Sequence, residues 1–273
     1  MGRVRLDALL VERGLVRDRS EAVQMIDAGR VLVNGSVAQK AARQVNTSEA
    51  VHVASPPARF VSRGGLKLDR ALHVFGIDPT DRTAVDAGSA TGGFTDCLLQ
   101  AGAIAVVAVD VGYGQLHERL RVDQRVISLE RTNIRDVDRE RATSLLAPRP
   151  APSLVVADLS FMSARHICAR LLEVSGEKGE TVILCKPQFE ASHEAASRGR
   201  GVIRERSERS AALKGVTAAI GECGATVKGV TCSPILGPAG NAEFLVHASH
   251  GNVVDEGTVG VMIDAALDEA ETL

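Results

Sequence analysis

From residue 83 onward the chain alternates two kinds of pattern. Short apolar runs rich in Val, Ile and Ala occur at 83–87, 104–109, 126–129, 154–157, 182–185, 226–230 and 244–248. Between them lie longer amphipathic stretches at 94–100, 115–121, 139–146, 164–174 and 207–221, with a last one at about 259–270. The runs are predominantly apolar and do not alternate regularly between apolar and polar, which predicts strands covered on both faces. Strands of that kind separated by helices predict an α/β, Rossmann-like domain with a seven-stranded, largely parallel sheet.

Before residue 54 the pattern differs. Leu6, Leu9 and Leu10 followed by Arg13-Gly14 predict a short helix closed by glycine. Asp18 with Glu21 three residues later is a capping box for a second helix, with Ala22, Val23 and Ile26 on its apolar face and Gly29 as its stop. Residues 30–33 and 36–38 across Asn34-Gly35 predict a hairpin, and residues 51–53 a further short strand. The stretch Ala54-Ser55-Pro56-Pro57-Ala58 has linker composition. The expected organisation is a small α+β domain over 1–54, a linker over 55–63 and the large domain over 64–273.

Composition narrows the function classes. With 45% hydrophobic and 24% charged residues the chain reads as an ordinary globular protein. Its longest apolar stretches, 103–109 and 181–185, fall far short of the ~20 residues of a membrane helix. The segment Met1 to Asp7 has no secretory apolar core. The expectation is a cytoplasmic protein without membrane association or an obligate protein partner. Five scattered cysteines without a Cys-x-x-Cys pair predict free thiols and no metal centre, and His247 and His250 add no ligand pattern. The net charge of −2 hides an asymmetry: residues 1–70 carry twelve Lys/Arg against seven Asp/Glu, so the body after them is acidic. A basic N-terminal piece on an acidic body fits an RNA-docking module, although such a balance also occurs on a solvated surface.

Candidate chemistry gathers where strands end. The first strand of the large domain runs into Asp86-Ala87-Gly88-Ser89-Ala90-Thr91-Gly92-Gly93-Phe94. Glycines there admit a ligand close to the backbone, and the following helix offers free N–H groups. Asp110, 22 residues after Gly88, ends the second strand and can accept both hydroxyls of an adenosine ribose. The loop stands one substitution from Gly-x-Gly-x-x-Gly, so an NAD- or other nucleotide-binding enzyme stays open on these residues alone. Asp158 and Lys186 end the fourth and fifth strands, and Glu243 opens the last. If that last strand is antiparallel, all three reach one edge, with Lys67 nearby in Ser62-Arg63-Gly64-Gly65-Leu66-Lys67-Leu68. Residues 191–202, containing Arg198-Gly199-Arg200-Gly201, read as a loop that closes over the site or as a solvated surface loop. No cysteine in a Pro-Cys turn and no Asn/Asp-Pro-Pro-aromatic motif points to carbon-5 or amino-group methylation.

The N-terminal pattern, with Arg-Val-x-Val-Asn-Gly at 30–35, resembles the RNA-binding module named after ribosomal protein S-four. That resemblance implies phosphate and shape contacts by Arg3, Arg5, Arg17, Arg19, Arg30, Lys40 and Arg43. Nearly the whole chain, through SRGGLKL, DAGSATGGF, DVGYGQL, ERTN, VADLSF, KPQFE and GNAEF, resembles the TlyA family of ribosomal RNA ribose methyltransferases, with an FtsJ-like, class I methyltransferase domain. The family's Lys–Asp–Lys–Glu set falls on Lys67, Asp158, Lys186 and Glu243. Implied cofactor residues for S-adenosyl-L-methionine are Asp86, Gly88, Ser89, Thr91, Gly92, Gly93, Phe94, Asp110 and Asn133. The implied reaction is 2′-O-methylation of cytidine in ribosomal RNA, in the longer class on both ribosomal subunits. The glycine loop departs from the usual Gly-Ala-Ser-Thr-Gly-Gly by swapping two small residues. Members also carry the label haemolysin, although no spanning or strongly basic amphipathic segment supports lysis here. Lys186 is expected to orient the reacting hydroxyl. Whether it also takes the proton stays open, because the cofactor's sulfonium and Lys67 push toward that role while Asp158 and Glu243 push against it.

Overall fold

The structure is a computed structural model that describes residues 2–54, 58–191, 199, 201–251 and 255–273. The chain forms two compact units, Met1–Arg59 and Phe60–Leu273. Of the expected linker, residues 55–57 lie outside the described residues. Phe60 belongs to the core of the second unit.

In the first unit β1 (Arg3–Arg5) leads into α1 (Leu6–Glu12), and α2 spans Arg19–Asp27. A three-stranded sheet has the order β3 (Ser36–Val37), β2 (Val31–Val33), β5 (Val51–Val53). Asn34 and Gly35 both take positive φ, 50° and 80°, as a two-residue hairpin turn requires. Leu6, Leu9, Leu10, Ala22, Ile26, Val31 and Val45 make its core.

Two details depart from expectation. Strand β1 pairs antiparallel with β4 (Gln44–Asn46), a two-stranded ribbon that three-residue runs with two arginines do not announce. The capping box is half formed. Asp18 accepts from the Glu21 N–H at 2.9 Å, but the Glu21 carboxylate reaches one residue further, to the N–H of Arg17 at 2.7 Å.

The second unit is a seven-stranded sheet. In chain order its strands are β6 (Thr83–Ala87), β7 (Ala105–Val109), β8 (Val126–Leu129), β9 (Leu154–Ala157), β10 (Glu180–Cys185), β11 (Ala225–Cys232) and β12 (Phe244–His250). Across the sheet they run β11-β12-β10-β9-β6-β7-β8. Pairing from β10 through β8 is parallel, whereas β12 runs antiparallel to both neighbours. All five residues of β6 and of β7 are buried, because helices cover both faces. One face (Val85, Val107, Val155, Ile183, Val246) packs on α6 (Arg139–Leu146), α7 (Cys168–Ser175), α9 (Arg206–Glu222) and α10 (Glu256–Ala270). The other (Ala84, Val106, Val156, Leu184, Leu245) packs on α3 (Gly64–Phe75) and α4 (Gly93–Gln100).

Helix α3 is the main element the hydrophobic pattern did not announce. Gly64-Gly65 reads as loop, and no side chain caps the helix. It forms because Leu68, Ala71 and Leu72 fall on one face and are buried against the sheet. Two expected helices are shorter. Only Glu118–Arg121 (α5) of 115–121 is helical, since His117 caps it. The stretch 164–174 divides into a 3-10 turn at Ala164–His166 and then α7.

Candidate active site

The sheet's strand order reverses between β6 and β9, and in a doubly wound sheet ligands bind beyond the strand ends at such a point. The turn after β6 is built for close approach. Gly88 has φ +83°, and a Cβ on it would lie 2.6 Å from the Asp158 carbonyl oxygen, so only glycine lets this turn meet the end of β9. Gly92, at φ +92°, leaves room that the Leu120 and Leu116 side chains fill. The loop is laced to β7: Gly88 N–H donates to the Val109 carbonyl at 2.8 Å, and Ala90 N–H to Asp110 Oδ2 at 2.8 Å. Asp110 Oδ1 takes the Gly112 N–H at 2.6 Å.

A cavity of about 840 Å³ opens beside this turn, ample for a nucleoside-sized ligand. Gly88, Ser89, Thr91, Gly93 and Phe94 line it, as do Lys67, Asp158, Lys186 and Glu243. The starts of α3 and α4, at Gly64 and Gly93, also meet at its wall, so two helix N-termini face one space. Arg63 ties that wall to the segment before β12 by donating to the Leu236 carbonyl at 2.8 Å.

The four charged residues come from four elements. Lys67 lies in the first turns of α3. Asp158 and Lys186 follow β9 and β10. Glu243 immediately precedes β12, and because β12 is antiparallel its beginning lies beside the end of β10, with Cys185 opposite Phe244. Lys67 Nζ donates to Glu243 Oε2 at 2.5 Å and lies 4.0 Å from Asp158 Oδ2. Lys186 Nζ lies 2.6 Å from Asp158 Oδ1 and donates to Ser160 Oγ at 3.0 Å. The charges thus alternate, Glu243–Lys67–Asp158–Lys186, and sum to zero. Glu243 is 1% exposed, a depth at which a carboxylate needs its cation.

Four expected cofactor residues are not among those that line the cavity. Asp86 is fully buried on β6, where its Oδ2 takes both the Thr95 N–H (2.9 Å) and hydroxyl (2.6 Å) while Oδ1 has no partner among the described residues. Burial pushes its carboxyl up to about 7. Gly92 packs on leucines, Asp110 braces Ala90, and Asn133 Oδ1 caps the 3-10 turn Ile134–Asp136 through the Arg135 N–H. The cavity also shows residues the sequence did not single out. Ser160 touches Lys186. Phe161, 92% exposed and at φ +63°, leans on Phe189 with ring centroids 5.6 Å apart. Both stand inside quoted motifs, next to Asp158 and Lys186, and adjacency was the available signal.

Of the basic residues in the first unit, Arg3, Lys40 and Arg43 are exposed without a side-chain partner among the described residues. Arg5 pairs with Asp7 at 2.7 Å, with Arg19 3.8 Å from the same carboxylate, and Arg17 pairs with Glu21. Arg30 is half-buried and donates to the Ala54 carbonyl, so part of its guanidinium serves the fold. Of the loop at 191–202, residues 192–198 and 200, including Arg198 and Arg200, lie outside the described residues. Gly201 lines the cavity, and its carbonyl accepts from Asn241. No grouping of His, Cys, Asp and Glu suited to a metal occurs among the described residues. No described helix is long and apolar enough to cross a membrane.

Comparison with known proteins agrees with this geometry. The FtsJ-like methyltransferase family matches residues 60–250, and the S4 domain matches residues 4–51. The chain is 42% identical over 245 residues, 89% of each chain, to the 16S/23S rRNA (cytidine-2'-O)-methyltransferase TlyA of Mycobacterium tuberculosis. It is 38% identical over 244 residues to Hemolysin A of Brachyspira hyodysenteriae, covering 89% of this chain and 99% of that one. A solved structure from Streptococcus thermophilus, provisionally described as a hemolysin, superposes with a TM-score of 0.71 at 36% identity over 100% of this chain and 98% of that chain. With a class I sheet, a glycine turn at its switch point and a Lys–Asp–Lys–Glu set beside it, the chain belongs to the FtsJ-like methyltransferases, in the TlyA group, as an S-adenosylmethionine-dependent enzyme with an S4 domain ahead of its methyltransferase domain.

Proposed function

We propose that this chain transfers the methyl group of S-adenosylmethionine to the 2′-hydroxyl of a cytidine in ribosomal RNA, in the large and the small subunit, working in the cytoplasm where those subunits are found. The observation that carries the reading is the alternating Lys186–Asp158–Lys67–Glu243 row beside the Gly88 turn. The Mycobacterium relative, named for the same reaction on 16S and 23S RNA, supports the substrate. The first unit's exposed Arg3, Lys40 and Arg43, with Arg5, Arg17 and Arg19 beside them, would dock RNA through phosphate.

The residues present fit the cofactor. The cavity is large enough, the paired N-termini of α3 and α4 suit its carboxylate, and Asp110 keeps unused lone pairs for ribose hydroxyls. Bound S-adenosylmethionine supplies an electrophilic methyl carbon on a positively charged sulfur. Lys186 would hold and orient the attacking hydroxyl. Its contacts with Asp158 and Ser160 occupy two sides of the ammonium group and leave the third for the cavity. As the hydroxyl proton leaves to solvent, the Lys186 cation would offset the charge developing on oxygen. Lys67 fixes Asp158 from the other side, and Glu243 neutralises Lys67. Positioning of this kind can supply much of the rate for an in-line displacement.

The test is labelled methyl transfer to intact 30S and 50S subunits and to naked ribosomal RNA, with Lys186→Ala alongside. The wild-type chain is expected to label RNA and yield 2′-O-methylcytidine, and the variant to be slower by about a hundredfold or more. Equal labelling by the variant removes Lys186 from the mechanism. Labelling of no RNA by the wild-type chain overturns the substrate reading.

A further inference from the structure

We infer that Ser160 is a positioning residue for Lys186, held in place by a clasp centred on Glu190; the inference rests on the proposed methyl transfer for its catalytic meaning. Ser160 Oγ accepts from Lys186 Nζ at 3.0 Å, and Asp158 Oδ1 lies 2.6 Å from the same nitrogen. One ionic contact and one neutral acceptor, at fixed places, restrict where the amine's remaining N–H points. Asp158 alone leaves the ammonium free to pivot about one contact, toward a carboxylate that Lys67 also approaches.

Ser160 lies on an exposed turn after β9, so its place needs a cause. That cause sits at the turn's far end. The Glu190 carboxylate, 1% exposed, takes the Ser163 hydroxyl at 2.6 Å, the Ala164 N–H at 2.6 Å and Arg165 Nε at 3.1 Å. Arg165 in return donates to the Glu190 carbonyl at 2.7 Å. Glu190 ends α8 (Pro187–Glu190), the short helix that starts directly after Lys186. One carboxylate therefore joins the segment carrying Ser160 to the segment carrying Lys186. Between these anchors Phe161 is held at φ +63°, a conformation a phenylalanine adopts only when its surroundings impose it, and its ring rests on Phe189 of α8. The two segments are thus tied together, and the Ser160–Lys186 bond is their point of contact with the chemistry.

The test compares Ser160→Ala and Ser160→Thr with the wild-type full-length chain. Single-turnover methyl transfer to ribosomal subunits is read together with S-adenosylmethionine affinity by calorimetry. A third measurement is the acetylation rate of Lys186 relative to the exposed Lys178, followed by peptide mass spectrometry. For Ser160→Ala the transfer rate is expected to fall about ten- to a hundredfold with cofactor affinity unchanged, because the amine is misdirected and not lost. Acetylation of Lys186 is expected to rise several-fold as its neutral acceptor disappears. Ser160→Thr, which keeps the hydroxyl at an exposed site, is expected to restore both readings. An alanine variant within about twofold of wild type in rate and labelling overturns the inference, as does a threonine variant as impaired as alanine. If the wild-type chain labels no RNA, the substrate reading fails, and the acetylation ratio alone decides the role of Ser160.

Discussion

Removing the positive charge of Lys67 while keeping its volume, as in Lys67→Met, leaves Glu243 as a carboxylate at 1% exposure with no cation in contact among the described residues. Asp158 loses its second lysine at the same time. Breaking one side of a buried pair costs about 3–5 kcal/mol, most of it the uncompensated charge left behind. For a unit the size of Phe60–Leu273 each kcal/mol moves the midpoint by about 2–4 °C, so a drop of roughly 10 °C is expected for that unit. The double variant Lys67→Met/Glu243→Gln removes both charges and should recover most of the loss, whereas neither variant recovers methyl transfer. Urea unfolding followed by far-UV circular dichroism, repeated for both single variants and the double, gives the coupling term directly. A Lys67→Met protein within 1 kcal/mol of wild type, or additive effects in the double variant, would refute the view that burial locks this pair together.

Two further expectations concern the glycine turn and the strand beneath it. Asp86 is carried up to about 7 in the folded chain by burial, against an ordinary aspartate near ~3.9 when unfolded. The folded state therefore holds a proton that the unfolded state has released, and stability present below about pH 4 is lost as pH rises through 7. Asp86→Asn cannot ionise, so it should gain up to about 4 kcal/mol on wild type above pH 7 and nothing near pH 4. Parallel stability–pH curves for the two proteins would show that the carboxyl titrates as it does in water. Gly88→Ala places a methyl 2.6 Å from the Asp158 carbonyl at a φ unfavourable to alanine. Cofactor affinity by calorimetry should fall about tenfold or more, and an unchanged Kd would mean the turn relaxes without disturbing the site.

The second unit was legible because its strands are predominantly apolar runs: β6, β8 and β9 have the bounds their residues suggest. Asp158, Lys186 and Glu243 could be placed at one edge once β12 was taken as antiparallel, which the pairing of Cys185 with Phe244 shows. Helix α3 was not legible, although it carries Lys67, because two glycines open it and its burial depends on a sheet distant in sequence. The roles of Asp86, Asp110 and Asn133 were half legible. Their places follow from the strands, but the sequence does not reveal that their oxygens are engaged by the backbone or hydroxyl groups of Thr95, Ala90, Gly112 and Arg135. Glu21 shows the same limit at small scale. Its spacing from Asp18 predicts a cap, and only the fold shows the carboxylate on Arg17 instead.

The reversed direction of β12 bears on the order of assembly. Lys67 and Glu243 lie 176 residues apart in sequence, and the strand that delivers Glu243 slots between β10 and β11, so three strands must associate before the lysine meets its acid. During synthesis from the N-terminus, α3 and β6 through β10 leave the ribosome well ahead of β12. In that interval Lys67 has no carboxylate from β12, and the cavity is open along the side where β12 will lie. The glycine turn and Asp110 can form early, but the four-charge row closes last. A nascent chain thus carries its nucleoside-binding half and Lys186 before Glu243 can neutralise Lys67, and a chain stalled before residue 243 would hold cofactor residues beside an incomplete charge row.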